Sequence, residues 1–158
     1  MRTKYLLALM LLAISCRERI NPYDPGNEDF STPPSLYMAY PVLGWYNTSG
    51  YLVGLRMRAE FVDHFDSPLE ITIALFMDEE ELARDSVPVA AGADTMIVDM
   101  FSNVILDFGL YHVLLYWAEF PIGNSLFEII NDGGQMVIQG VTEYDTLPEG
   151  NSTLLRKR

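Results

Sequence analysis

Few residues in this 158-residue chain have the types and spacings that chemistry requires. The two histidines, His64 and His112, have no cysteine near them, so the spacing of a zinc set is missing. No Gly-x-Ser-x-Gly occurs, and Gly123-Asn124-Ser125 reads as a turn rather than a strained elbow between strand and helix. No glycine-rich loop with a lysine leads into a helix, so no phosphate cradle is expected. Asp78, Glu79, Glu80 and Glu81 are carboxylates of the kind a glycosidase pairs, but contiguous acids read as a solvated hairpin tip. Glu119 is a single acid near an expected strand end and reads as a solvent-exposed residue rather than half of an acid–base pair. The expectation is a protein with no catalytic residues, no metal ligands and no cofactor, and hence not an enzyme. The remaining reactive atom is the sulfur of Cys16, the only cysteine. It follows an apolar run over residues 5–14, which itself stands behind the basic Arg2 and Lys4. That run is far shorter than the roughly 20 residues a helix needs to cross a bilayer, so it reads as an export signal and not a membrane span.

Leu12-Ala13-Ile14-Ser15-Cys16 resembles the signal of bacterial lipoproteins, in which a peptidase cuts just before a cysteine whose thiol has received a diacylglycerol. The resemblance implies a signal peptide over residues 1–15, a mature chain beginning at a lipidated, palmitate-bearing Cys16, and a membrane as partner through that lipid anchor. It also implies the bacterial cell envelope as location. Arg17 is not the aspartate that retains lipoproteins at the inner membrane of enteric bacteria, which makes the outer membrane the default. Asn21-Pro22-Tyr23-Asp24-Pro25 resembles a short motif found just after the lipidated cysteine in lipoproteins that carry immunoglobulin-like domains. Two or three acyl chains would hold such a protein firmly, since each buried methylene contributes about 0.8 kcal/mol.

The charge narrows the partners. The formal net charge is −12, and removing Arg2 and Lys4 with the signal leaves −14. Such a surface repels phosphate backbones, so no nucleic acid is expected, and an anchor must work by hydrophobic insertion rather than by attraction to anionic head groups. With Cys16 acylated no thiol is left for a disulfide, and the fold must be held by its core. Residues 16–34 carry Asn21-Pro22, Asp24-Pro25-Gly26 and Thr32-Pro33-Pro34 among charged residues, a composition that reads as a flexible tether. Asp24, Asn27, Glu28 and Asp29 lack the glycine and closing glutamate of a calcium loop.

Residues 35–146 are the expected domain and 147–158 a flexible tail. The pattern alternates with period two, the signature of half-buried strands. Leu36, Met38 and Tyr40 form a first short run ended by Pro41. Leu55, Met57, Ala59 and Phe61 then oppose Arg56, Arg58 and Glu60, and Leu69, Ile71, Ile73, Leu75 and Met77 form a third apolar face. Residues 78–84 predict a hairpin tip or one helical turn, followed by a strand over 85–89 that Pro88 confines to a sheet edge. Met96, Val98 and Met100 alternate next. Strands over 111–120, 126–130 and 135–144 complete an all-β antiparallel fold.

Asp107, Gly109, Tyr111 and Val113 fall at two-residue intervals and resemble the Asp-x-Gly-x-Tyr-x-Cys opening of strand F in immunoglobulin-like and fibronectin-like domains, with Val113 in place of the cysteine. The resemblance implies an antiparallel immunoglobulin-like β-sandwich. If Tyr111 points inward, His112, Leu114 and Tyr116 face the other way, as does Phe76 on another strand. These four residues are the candidate binding patch, unless residues 122–130 cover them. Taken together, the expectation is a lipid-anchored, non-catalytic envelope module that binds an envelope protein or glycan or serves as a structural part. The alternative is a closed β-barrel carrier of a small apolar ligand, lined by Trp45, Trp117 and methionines.

Overall fold

The computed structural model describes residues 33–147, all but Pro33 within the second of the two units into which the chain divides. The expected signal, Cys16, the tether before Pro33 and the tail after Leu147 lie outside the described residues. Among the described residues nine strands run in order: β1 (Leu36–Tyr46), β2 (Leu52–Phe61), β3 (Leu69–Met77), β4 (Glu80–Val89), β5 (Thr95–Phe101), β6 (Gly109–Trp117), β7 (Phe120–Asp132), β8 (Gln135–Ile138) and β9 (Tyr144–Thr146). They form a four-stranded sheet in the order β5-β2-β1-β9 and a five-stranded sheet in the order β4-β3-β6-β7-β8. All pairs are antiparallel except β1 with β9, which run parallel. The chain changes sheet after β2, β4, β5 and β8, which gives the Greek-key winding of an immunoglobulin-like sandwich. β4 lies beside β3, and no described strand lies beyond β5.

The period-two pattern accounts for the packing. Leu55, Met57 and Ala59 on β2 and Ile71, Ile73 and Leu75 on β3 are fully buried, in one core with Met96, Val98 and Met100 on β5 and Val113 and Leu115 on β6. Tyr111 opens β6 with its ring fully buried and stacked on Phe127, centroids 5.5 Å apart, and its hydroxyl donates to the Asp107 carbonyl at 2.9 Å. This is the tyrosine corner that Asp107-x-Gly109-x-Tyr111 predicts.

Two separate sheets replace the closed barrel of the alternative reading. Trp45 turns outward on the four-stranded sheet, where its indole N–H donates to Asp99 at 3.1 Å, so it lines no interior. Several strand limits also differ from those the sequence predicts, each for a local reason. β1 continues through Pro41 because a register shift between Pro41 and Leu43 absorbs the missing donor. No helical turn forms at 78–84: Met77 pairs with Glu80, Asp78 takes a left-handed φ of 53°, and β4 starts at once. Pro88 does lie on an edge strand, as expected. β6 ends at Trp117 rather than at 120, and Pro121 enters β7 at a second register shift. β7 is one strand of 13 residues, although Pro121, Gly123 and Asn124 read as turn formers. Gly123 is there because a Cβ would collide with Leu36 of β1. The last expected strand breaks at Ile138, and after Gly140, φ 81°, the chain crosses to place β9 beside β1. Leu147 is buried and donates its N–H to Tyr46.

The β6–β7 turn is two residues, Ala118 (φ 47°) and Glu119 (φ 71°), the mirror-image turn that matches strand twist but favours asparagine and glycine. Ala118→Asn is expected to raise stability by about 0.5–1 kcal/mol, because asparagine tolerates left-handed backbone better than alanine. Urea denaturation followed by tryptophan fluorescence measures it.

Candidate functional site

Alternation and register together place the sequence-predicted patch. β3 and β6 pair Thr72 with Tyr116, Ala74 with Leu114 and Phe76 with His112. Since Ile71, Ile73, Leu75, Val113 and Leu115 point into the core, these three pairs stand on the outer face of the five-stranded sheet. Phe76, His112, Leu114 and Tyr116 are thus one contiguous group, each half-buried. The rings of Phe76 and His112 have centroids 6.4 Å apart.

Neighbouring strands extend the group. On β7 Leu126 is opposite His112 and is 63% exposed, and on β6 Leu110 is 60% exposed. Sequence reasoning missed both, because alternation says which face a residue takes within its strand but not which residue stands next to it on another. On β4 Arg84 is opposite Ala74, and Ala74 is fully buried although it belongs to the outer face. Arg84 stacks its guanidinium 5.2 Å from the centre of the Tyr116 ring and holds Glu81 through two bonds of 3.0 and 2.7 Å. Hydrogen bonding to Arg84 holds the Glu81 carboxyl below its ordinary value. Beside Tyr116, the hydroxyls of Thr72 and Ser86 bond at 2.8 Å. The patch therefore has an apolar centre of Phe76, Leu110, Leu114 and Leu126 and a polar, internally paired rim along β4.

The expected cover does not form. Residues 122–130 lie in the plane of the sheet as part of β7, hydrogen-bonded along β6, because the two-residue turn at Ala118 and Glu119 returns the chain directly beside it. Their inward residues Phe127 and Ile129 are buried in the core instead. Among the described residues nothing packs over Leu110 and Leu126.

The outer face of the four-stranded sheet is of another kind. Asp99 on β5 accepts two bonds of 2.7 Å from Arg56 on β2 and one from Trp45 on β1, and Arg56 lies 5.4 Å over the Trp45 ring. Burial pushes the Asp99 carboxyl up, but the hydrogen bonds from Arg56 and Trp45 outweigh it and hold it below its ordinary value. Glu60 likewise accepts from Arg58 and from the Tyr40 hydroxyl. The partners satisfy one another across three strands, so this face acts as a staple. No group of three or more His, Cys, Asp or Glu suited to a metal ion occurs among the described residues.

No protein-family model matches the chain, and no curated protein matches it. Among solved structures it is similar to an immunoglobulin-like protein from Pseudomonas aeruginosa, with 10% identity and a TM-score of 0.34 over 62% of this chain and 92% of that one. It is also similar to part of a β-glucosidase from Listeria innocua, with 12% identity and a TM-score of 0.36 in the glucose complex, over 73% of this chain but only 20% of the enzyme. Likeness at this level carries no argument about activity, and the assignment of the sandwich rests on strand order and the tyrosine corner.

Proposed function

We propose that this protein is a non-catalytic binding module, held at the bacterial envelope by lipid on Cys16, that docks an envelope protein on the outer face of its five-stranded sheet. The observation that carries the reading is the apolar centre of that face, with Leu110 and Leu126 well exposed beside Phe76 and Leu114. An antiparallel sheet exposed on one side normally presents polar residues there. A patch of leucine and phenylalanine with a paired polar rim is the anatomy of a protein interface, with an apolar core that excludes water. Protein is favoured over glycan by the leucines, which offer a sugar neither a hydrogen bond nor a flat ring.

The anchor and the patch are tested separately. Cys16→Ser is expected to move the protein from the membrane to the soluble fraction, and unchanged fractionation would remove the lipid from the reading. For the face, a photo-crosslinking residue at Leu126 in native membranes is expected to give one discrete adduct. Leu114→Asp is expected to reduce that adduct about tenfold or more, as loss of an interface anchor does, with the melting temperature almost unchanged. A crosslinking pattern indifferent to Leu114→Asp would refute docking at this face.

A further inference from the structure

Among the described residues the outer edge of β5 pairs with no strand, and the hydrogen-bond parity shows which of its groups are free. Phe61 donates to Asp94 at 2.8 Å and Ser102 donates to Val53 at 2.9 Å, and these bonds bracket the seven β2–β5 pairs from Glu60↔Thr95 to Gly54↔Phe101. Bonded pairs in an antiparallel ladder recur at every second residue. Met96, Val98 and Met100 therefore turn their N–H and C=O toward β2, while Thr95, Ile97, Asp99 and Phe101 turn theirs toward the open side. No described residue bonds to those four backbone units.

Native sheets blunt such edges with proline, bulges, projecting charge or brevity. Among the described residues the other edges show these devices. β4 has Pro88, a register shift, and Glu80, Glu81, Arg84 and Asp85. β8 and β9 have four and three residues. Below β9, the outer side of β1 is met by β7, where Ser125 donates to the Ala39 carbonyl at 2.6 Å. β5 has none of them. Its seven residues contain no proline or lysine and keep an unbroken register with β2. Its one charge, Asp99, is folded back onto Arg56 and Trp45. Ile97 is 54% exposed at its centre.

We infer that the free edge of β5 takes up an extended, basic segment of a partner protein as an added strand. Backbone pairing supplies the geometry, since an open edge recognises any extended chain with its donors free. Charge selects the segment: residues 33–147 hold 17 acidic side chains against three arginines. Each arginine is already bridged, Arg56 to Asp99, Arg58 to Glu60 and Arg84 to Glu81. A second copy of this chain would bring the same surplus of negative charge to the edge, whereas alternating lysines or arginines would meet Asp94, which directly precedes β5. This site is separate from the patch on the five-stranded sheet.

Amide hydrogen exchange on the intact chain in mild detergent tests the inference. Without peptide, the amides of Met96, Val98 and Met100 are expected to be protected and those of Ile97, Asp99 and Phe101 to exchange freely. A capped peptide of alternating valine and lysine is expected to slow the second set about tenfold or more. A fully N-methylated copy of the peptide keeps the charge but cannot donate, and should give no protection. Ile97→Pro removes one outward N–H and spares the β2 ladder, so it should abolish the effect. Ile97→Lys does the same by repulsion and keeps the test open if proline at 97 unfolds the chain. The inference is overturned by equal binding of the N-methylated peptide, by protection confined to other strands, or by no protection. It is equally overturned if these amides become protected without peptide as protein concentration rises, which would assign the edge to a second copy.

Discussion

Tyr111→Ala is expected to destabilise the domain by about 4 kcal/mol, in the range of aromatic truncations in a packed core. The ring is fully buried against Phe127, so its removal leaves a cavity in the core, and it also removes the bond to Asp107. At roughly 4 °C per kcal/mol for a domain of this size, the melting temperature should fall by about 15 °C. Tyr111→Phe separates the two contributions: it keeps the stacking and loses only the hydroxyl, for about 1 kcal/mol. The same pair of variants reports on alkaline stability. Burial pushes the Tyr111 phenol up to about 12 from an ordinary 10.0. The unfolded chain releases this proton first, so the contribution is complete below pH 10 and is lost as pH rises toward 12. Tyr111→Phe should therefore unfold less steeply across that interval. Equal alkaline slopes for the two proteins would contradict a buried neutral phenol.

Gly54→Val should cost about 3 kcal/mol, and Gly54→Ala about 1–2 kcal/mol, at the upper and middle range for overpacking. Adding a side chain to a strand glycine usually helps, because it reduces the freedom of the unfolded chain. Here the sign reverses. A Cβ at Gly54 would meet the Met100 carbonyl oxygen at 2.6 Å and the Phe101 ring at 2.6 Å. Gly54 is paired with Trp45 on one side and Phe101 on the other, and the two rings, 6.0 Å apart, close over it. Backbone cannot give way as a side-chain tip can, so β5 would have to shift along β2. Chemical denaturation gives the energies, and a changed near-ultraviolet signal from Trp45 would show the rings parting.

The alternation in residues 55–61 and 69–77 makes the inner faces of β2 and β3 legible in the sequence, because a period of two is a local property. Asp107, Gly109 and Tyr111 are legible for a related reason: a tyrosine corner is closed within five residues. β7 is not. Pro121, Gly123 and Asn124 signal a turn by their own preferences, and only the approach of Leu36 from a strand far away in sequence explains why glycine stands mid-strand. The candidate patch divides in the same way. His112, Leu114 and Tyr116 follow from one strand and Phe76 from another, but Leu110 and Leu126 join them through inter-strand register, which depends on the whole sheet. The three-strand staple of Trp45, Arg56 and Asp99 is hidden for the same cause.

The parallel pairing of β1 with β9 bears on mechanics. β1 begins beside Val62, at the end opposite Tyr46, and β9 leaves beside Tyr46 through Leu147. A tension applied between Ser35 and Leu147 would slide the two strands past each other, loading Gly44↔Tyr144, Trp45↔Asp145 and Tyr46↔Thr146 together instead of unzipping them singly. A three-residue ribbon thereby becomes a shear clasp at the point where pulling on both ends would converge.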